Sequence, residues 1–364
     1  MSIKIEKPIE KACLVGLAKT SRERTEVNSS LDELAELTLS AGAKIDDSVV
    51  QVRRPDPKYY IGKGLMQKLK EEIAENGTSL VIFDDPLSPA QQRNLEKEFE
   101  IKVIDRSILI LNIFAQHART AESMLQVELA QLEYMLPRLT GAWSHLSRHA
   151  GGIGTRGPGE TQLETDRRQV RKKIALLKQK LARVGRQRDT QRSRRKGLFK
   201  VALIGYTNAG KSTLFNTLTK SSVMTANQLF TTLDSTSRVM SQGFPDKIIF
   251  TDTVGFIKKL PHQLVEAFKS TLEEVVYADL LLHVVDITDI DTDSKIAQTE
   301  SVLEEIGAGE IETLLIYNKI DKFKEDIIPT RPEIEAFLTS AINGDGLDKL
   351  KEALTDRLRL FSGL

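Results

Sequence analysis

A single eight-residue pattern constrains the fold of this chain more than any other feature. Residues 205–212 read GYTNAGKS, which fits G-x-x-x-x-G-K-[ST], and they lie between the strand-like KVALI and the helix-like STLFNTLTK. Glycines let backbone N–H groups turn inward around phosphate oxygens, and the N-terminus of the following helix adds its positive dipole. The pattern therefore predicts a phosphate-binding loop inside an α/β domain.

Each residue type in this loop has a predicted part in binding a nucleotide. Lys211 brings a positive charge to the β- and γ-phosphates and is a candidate catalytic residue, and the Ser212 hydroxyl is a candidate Mg²⁺ ligand. The other interpretation, a glycine turn with a surface lysine, is disfavoured by the flanking strand and helix. The remaining candidate nucleotide contacts in the loop are Gly205, Asn208, Ala209, Gly210 and Thr213.

Two further segments fit a site for the γ-phosphate and the metal. In KIIFTDTVGFI, Asp252 ends an apolar strand, where its carboxylate can reach a Mg²⁺ held by Ser212 through water, and the N–H of Gly255 can contact the γ-phosphate as a catalytic group. In LFTTLD, Thr232 is the preferred γ-phosphate-sensing Mg²⁺ ligand and catalytic candidate. Thr231 is less favoured, and an ordinary capping threonine is the alternative.

Two more segments predict selection of guanine. TLLIYNKID places Asn318, Lys319 and Asp321 after another buried strand, and an Asp there can accept hydrogen bonds from both N1–H and N2–H₂ of guanine. Adenine offers no such pair of donors. FLTSA adds Ser340 and Ala341, whose backbone can contact the guanine O6. Each short motif alone is typical of a strand-end turn, but their order on successive strand ends favours a GTP or GDP site.

The first part of the chain alternates between strand-like and helix-like segments. The segments ACLVGLA, DDSVVQVRR, SLVIFDD and IKVIDR are strand-like, and Ser88 is the candidate N-cap of an intervening helix. This alternation predicts an α/β layer with mostly parallel strands. The fold class is therefore α/β: an N-terminal α/β domain at 1–115, a long helical hairpin with a glycine-rich joint at 116–197, and a GTPase domain at 198–364.

The predicted hairpin rests on two stretches of sequence. Leucines three or four residues apart predict one buried helix stripe, and a second helix is predicted from about Glu160 into a basic stretch. Five glycines at 151–159 predict the joint, either a loop that packs against RNA or the GTPase domain or a flexible hinge. The leucines of the stripe are Leu125, Leu129, Leu132 and Leu136.

Charge is distributed very unevenly along the chain. The whole chain carries a net charge of +1, yet residues 167–200 contain 15 Lys or Arg and one acid, Asp189, which gives a local charge of +14. Such asymmetry favours a polyanionic partner, and a solvated charged helix is the alternative. The acids that would interleave in a salt-bridged helix are missing from this stretch.

The remaining composition limits the class of protein. The single cysteine, Cys13, excludes an internal disulfide framework and a cysteine zinc cage. No apolar run reaches the ~18 residues of a membrane span, and the N-terminus has no signal-peptide core. We therefore expect a cytoplasmic protein, with peripheral association at the membrane as an alternative, and a monomer in solution.

Together the nucleotide motifs resemble those of Ras-like GTPases, and three longer segments resemble the HflX family. These segments are FAQHARTAESMLQVELAQLEYMLPRL, GGIGTRGPGETQLETDRR and DTVGFIKKLPHQLVEAFKSTLEEV. The resemblance implies a GTPase that binds the large ribosomal subunit, with residues 151–200 as our candidate rRNA contact, and that splits or rescues stalled or idle ribosomes under stress. The alternatives are a ribosome-assembly GTPase and an RNA-binding scaffold with a structural nucleotide.

The chain departs from the family pattern and from Ras in informative places. Ala150 stands where many HflX members have another glycine, and because the sequence ends at Leu364 we expect the extra C-terminal domain of longer members to be absent. Ras-like enzymes orient the attacking water with a Gln directly after the D-x-x-G glycine, whereas Phe256 occupies that position here. We expect slow intrinsic hydrolysis that the ribosome accelerates. Asn208 adds K⁺ as a second candidate activator, although an asparagine that only caps the turn is the favoured interpretation.

Overall fold

The structure is a computed structural model that describes residues 9–140, 158–193, 197–221, 230, 234–241, 243–259, 269–289, 291–322 and 334–363. Thr231, Thr232 and the glycine-rich joint up to residue 157 lie outside the described residues. The chain divides into two compact units, one of Met1–Gln116 with Leu125–Lys180 and the other of His117–Met124 with Leu181–Leu364. The predicted domain boundaries at 115 and 197 stay a prediction.

The first unit is built on a parallel sheet of four strands: β1 (Lys11–Ala18), β2 (Lys44–Val52), β3 (Leu80–Phe83) and β4 (Lys102–Asp105). Their order in the sheet is β2-β1-β3-β4. Every residue of β3 is buried, which suits the central position of an apolar LVIF strand between helical layers. The intervening helices are α1 (Arg24–Ser40), α2 (Lys63–Asn76) and α3 (Pro89–Phe99). The predicted cap, Ser88, accepts a hydrogen bond from the N–H of Gln91 and completes a capping box.

Three helices follow the first sheet: α4 (Arg106–His117), α5 (Ala121–Met135) and α6 (Pro158–Ser193). The break between α4 and α5 lies at residues 118–120, where the Thr120 hydroxyl accepts a hydrogen bond from the N–H of Ser123 and caps α5. The predicted leucine stripe is only partly correct. Leu129 is buried, but Leu125 and Leu132 are half-buried and Leu136 follows the helix. The buried face of α5 also carries Val127, Ala130 and Tyr134.

The basic helix α6 takes its counter-charges from α5. Three ion pairs join the two helices: Lys173 with Glu128 at 2.5 Å, Lys178 with Glu133 at 2.8 Å and Arg188 with Glu122 at 2.8 Å. Three acids of α5 therefore pair with the basic part of α6, where acids are scarce, and these three cations are not available as unpaired charges.

The second unit contains a six-stranded sheet in its described part, formed by β5 (Phe199–Ile204), β6 (Thr236–Met240), β7 (Ile248–Asp252), β8 (Leu280–Asp286), β9 (Thr313–Asn318) and β10 (Ala336–Leu338). The order of the strands is β10-β9-β8-β5-β7-β6. Only β6 is antiparallel to its neighbour among these pairs. The helices are α7 (Lys211–Thr219), α8 (Lys269–Val276), α9 (Thr292–Ile306) and α10 (Leu347–Ser362).

Apolar residues of β5, β7, β8 and β9 form the core between the helices of this unit. The predicted α/β class is confirmed by the two sheets. Because parallel strands share one carboxyl edge, the loops after β5, β7, β8 and β9 meet there, and ligands of such sheets bind at that edge. In the part of the chain that the structure describes, no helix is long and apolar enough to cross a membrane.

Candidate nucleotide-binding site

The loop between β5 and α7 has a backbone that requires its two end glycines. Gly205 and Gly210 have φ values of +134° and +95°, where only glycine is free of strain. A Cβ on Gly205 would lie 2.1 Å from the Val284 carbonyl oxygen, and one on Gly210 would lie 2.2 Å from Nδ2 of Asn318. The glycines thus allow the loop to pass close to β8 and β9. Thr213 lies in the first turn of α7.

Lys211 lies at the C-terminal end of this loop and is held there by two carbonyl oxygens. Its Nζ donates to the carbonyl oxygens of Gly205 at 3.0 Å and Tyr206 at 2.7 Å, and an ammonium group has three donors. The described contacts therefore leave one donor for a phosphate oxygen. Burial lowers the pKa of Lys211 to about 8, against the opposing effect of Asp252.

This depressed pKa predicts a pH-dependent affinity for nucleotide. Phosphate oxygens favour the charged ammonium, so binding takes up a proton once the pH exceeds the pKa of the free site. We expect the affinity for a non-hydrolysable GTP analogue to fall about fourfold between pH 7 and pH 8.5. Calorimetry in buffers of different ionisation enthalpy measures both the affinity and the proton uptake. Constant affinity without proton uptake would contradict this prediction.

Ser212 and Asp252 form an oxygen pair suited to Mg²⁺. The Ser212 hydroxyl donates to Oδ2 of Asp252 at 2.6 Å, and Asp252 is fully buried at the end of β7. Hydroxyl and carboxylate oxygens are the donors that Mg²⁺ prefers, and the positive end of α7 suits the phosphates that would share the metal. The residues therefore fit the ion.

Gly255 and Phe256 pack directly against the phosphate-binding loop. A Cβ on Gly255 would lie 2.8 Å from Cα of Thr207 and 2.9 Å from Nζ of Lys211, so a side chain there would displace the loop. The N–H of Phe256 donates to the Gly205 carbonyl at 3.0 Å, and the Phe256 carbonyl accepts from the N–H of Thr207 at 2.9 Å. The Phe256 ring is buried in an apolar cluster with Tyr206. Phe256 is thereby held in the core, where it orients no water.

The predicted guanine residues are linked by hydrogen bonds. Asn318 donates through Nδ2 to the Ala209 carbonyl at 2.9 Å and accepts from the N–H of Ala341 at 3.0 Å. The Ser340 hydroxyl donates to Oδ1 of Asp321 at 2.7 Å, and Asp321 itself is exposed. These bonds fix the direction of the Asp321 carboxylate. They also connect the guanine side of the site to the phosphate side.

Sequence reasoning missed two residues that organise the site. Asp286, at the end of β8, pairs with Nζ of Lys319 at 2.6 Å and fixes that side chain. The hydroxyl of Tyr206 bonds to Gln298 on α9. The sequence signal for Asp286 was an acid directly after the buried segment LLLHVV, and the signal for Tyr206 was an aromatic residue inside a phosphate-binding loop. Asn208 is exposed with a φ of +62°, a conformation that asparagine tolerates.

Comparison with known proteins agrees with this geometry. Family models match at residues 28–115 (GTP-binding GTPase N-terminal), 117–195 (GTP-binding GTPase Middle Region) and 200–319 (50S ribosome-binding GTPase). GTPase HflX of Escherichia coli is 48% identical over 96% of this chain and 83% of its own length. The chain belongs to the HflX family of GTPases.

Other relatives extend the match. GTPase HflX of Caldanaerobacter subterraneus is 48% identical over 96% of this chain and 81% of its own length. A crystal structure of a complex of SsGBP with GDP matches the fold with a TM-score of 0.53 and 24% identity, over 97% of this chain and all of that one. The predicted HflX resemblance and GTPase activity are confirmed, and the HflX family member described here binds nucleotide and hydrolyses GTP. Its GTPase region is of the ribosome-binding class.

Proposed function

We propose that this HflX-family GTPase binds the large ribosomal subunit in its GTP-bound state and splits or rescues stalled or idle ribosomes under stress. The observation that carries the proposal is the exposed basic face of α6, in a chain whose GTPase region matches a 50S ribosome-binding model. Most of the basic residues that α5 leaves unpaired on α6 are exposed. Those in the described part are Arg168, Arg171, Lys172, Lys180, Arg183 and Arg186.

The residues at the ends of β5 and β7 would make ribosome binding depend on the bound nucleotide. Mg²⁺ would be held by Ser212 and Thr232, with Asp252 reaching it through water, and the ion would offset phosphate charge. Lys211 and the N–H of Gly255 would contact the γ-phosphate, so only GTP would bring Thr232 and Gly255 together around that group. The GTP form would therefore bind ribosomes best.

The position of Phe256 explains why the partner would be needed for fast turnover. A phenyl ring neither donates a hydrogen bond to water nor accepts a strong one, and this ring is buried. The ribosome would supply the missing orientation of the attacking water. K⁺ near Asn208 stays a prediction, as do a cytoplasmic location and a monomeric state.

The basic face of α6 predicts a salt-dependent interaction with rRNA. We expect Lys172→Glu with Arg183→Glu to weaken binding to large subunits about tenfold or more, and to reduce the slope of log affinity against log salt by about two, since each phosphate contact adds about one. Sedimentation of the protein with subunits across a KCl series measures both quantities.

A matched control swaps two exposed cations elsewhere. Lys349→Glu with Arg359→Glu on α10 changes the net charge equally and should leave both quantities near those of the parent. Equal losses in the two double variants would mean that net charge alone, not the face of α6, governs binding.

The splitting activity itself is tested on whole ribosomes. Light scattering of 70S particles should fall after addition of the protein with a non-hydrolysable GTP analogue, and GDP should leave it unchanged. Binding to subunits without any loss of whole ribosomes would favour the assembly-factor alternative. Binding that ignores the nucleotide would favour the RNA-binding scaffold.

A further inference from the structure

An acidic side chain of the LFTTLD segment (residues 229–234) contacts the first turn of α5. Asp234 lies two residues after Thr232 and two before the start of β6 at Thr236. Its Oδ1 accepts from the Thr120 hydroxyl at 2.7 Å, and its Oδ2 accepts from the N–H groups of Arg119 and Thr120, each at 3.2 Å. One carboxylate therefore accepts three hydrogen bonds at the start of one helix.

Two of these hydrogen bonds involve Thr120, the residue directly before the first residue of α5. Thr120 is the N-cap of α5, because its Oγ1 accepts from the N–H of Ser123 at 3.1 Å. A negative charge beside the positive end of a helix is favourable, and charge-assisted hydrogen bonds are the stronger kind. In the same turn, Glu122 pairs with Arg188 of α6 at 2.8 Å. The first turn of α5 thus has contacts both with Asp234 and with Arg188 of α6.

The place of Asp234 in the sequence would make this contact sensitive to the nucleotide. Asp234 follows Thr232, the proposed ligand of the γ-phosphate-bound metal, by two residues. On its other side, Thr236 pairs with Asp252 in the β6–β7 ladder. Binding of Thr232 in the GTP state would anchor the chain on both sides of Asp234, and holding its carboxylate against Thr120 would then cost less entropy.

We propose that Asp234 is a positioning residue that couples recognition of the γ-phosphate to the start of α5. The inference rests on the proposed role of Thr232 and extends it to a named contact with the helical extension. Because coupling is reciprocal, whatever stabilises the first turn of α5 also strengthens binding of GTP relative to GDP. A ribosome that binds α6, which is paired with this turn through Arg188, would then favour the GTP form.

The first test is hydrogen exchange on the isolated full-length protein. Hydrogen exchange at the amides of Arg119 and Thr120 should be at least about fivefold slower with a non-hydrolysable GTP analogue than with GDP. A factor of about five is the lower end of typical coupling between two sites. Asp234→Ala should abolish this difference. A parent protein without the difference, or a variant that retains it, would overturn the inference.

The second test separates coupling from a merely structural role. Asp234→Ala should weaken the affinity for the GTP analogue about fivefold and leave the affinity for GDP unchanged, since GDP lacks the group that Thr232 is proposed to sense. Thr120→Ser, which keeps the hydroxyl, should behave as the parent, and Thr120→Val should resemble Asp234→Ala. Asp356→Ala removes an exposed carboxylate of α10 as the matched control.

These outcomes remain distinct from those of the proposed function. Equal loss of GDP and GTP-analogue affinity in Asp234→Ala would show general damage and overturn the coupling. Failure of the parent to bind ribosomes would overturn the proposed function alone, because neither test above contains ribosomes.

Discussion

Replacing Lys211 by alanine is expected to reduce GTP hydrolysis by about 10³-fold, the upper range for removing one preorganised donor from a reacting centre. The ammonium is buried and held by the carbonyls of Gly205 and Tyr206, so its charge is preorganised for the phosphates. Nucleotide affinity should fall as well. Single-turnover hydrolysis at saturating GTP separates the effect on chemistry from the effect on binding.

The fold itself should survive this substitution. The lowered pKa of Lys211 shows that its charged form is disfavoured by burial, so removing the ammonium removes a desolvation cost. The melting temperature without nucleotide should stay near that of the parent. Lys247→Ala, at an exposed lysine of the same unit, is the control and should leave turnover unchanged. Parental turnover in Lys211→Ala would contradict the assigned role.

Replacing Asp321 by asparagine should weaken GTP binding by about 10³-fold. Each hydrogen bond to a charged group contributes about 1.5–3 kcal/mol, and the carboxylate is predicted to accept two from guanine. Ser340 already holds one oxygen of this carboxylate, so the asparagine amide would present a donor where guanine also presents donors. Xanthine has a carbonyl at that position, and the variant should therefore prefer XTP.

Competition between GTP and XTP measures this change of preference. Asp345→Asn, at an exposed carboxylate near the same loop, is the matched control and should retain preference for GTP. If Asp321→Asn binds GTP as the parent does, another residue recognises the guanine edge.

Local patterns predicted much of this molecule because they depend on neighbours in sequence. The phosphate-binding loop, the capping box at Ser88 and the strand that ends at Asp252 each lie within about a dozen residues of the features that define them. The carboxyl edge of a parallel sheet then brings separate motifs together without further information. The candidate site residues that the structure describes accordingly lie at or beside adjoining strand ends, and their roles stay predictions.

What the sequence did not predict depends on distant partners. The break between α4 and α5 contains neither Gly nor Pro, and it is fixed by Thr120 together with Asp234, which lies 114 residues away. Three acids of α5 pair with cations of α6, so the net charge counted along α6 alone overestimates the number of cations that are left unpaired. The anchoring of Phe256 depends on backbone bonds to the loop after β5, which no local pattern encodes.

The two backbone bonds of Phe256 also limit how this enzyme can be changed. Because the backbone directs that side chain into the apolar core, a glutamine placed there would bury its amide instead of meeting the attacking water. We therefore expect Phe256→Gln to lower the stability of the fold without raising the intrinsic rate of GTP hydrolysis. Under the proposed function, the ribosome would then set the lifetime of the GTP-bound state, and changes in the ribosome could alter that lifetime while the GTPase core stays as it is.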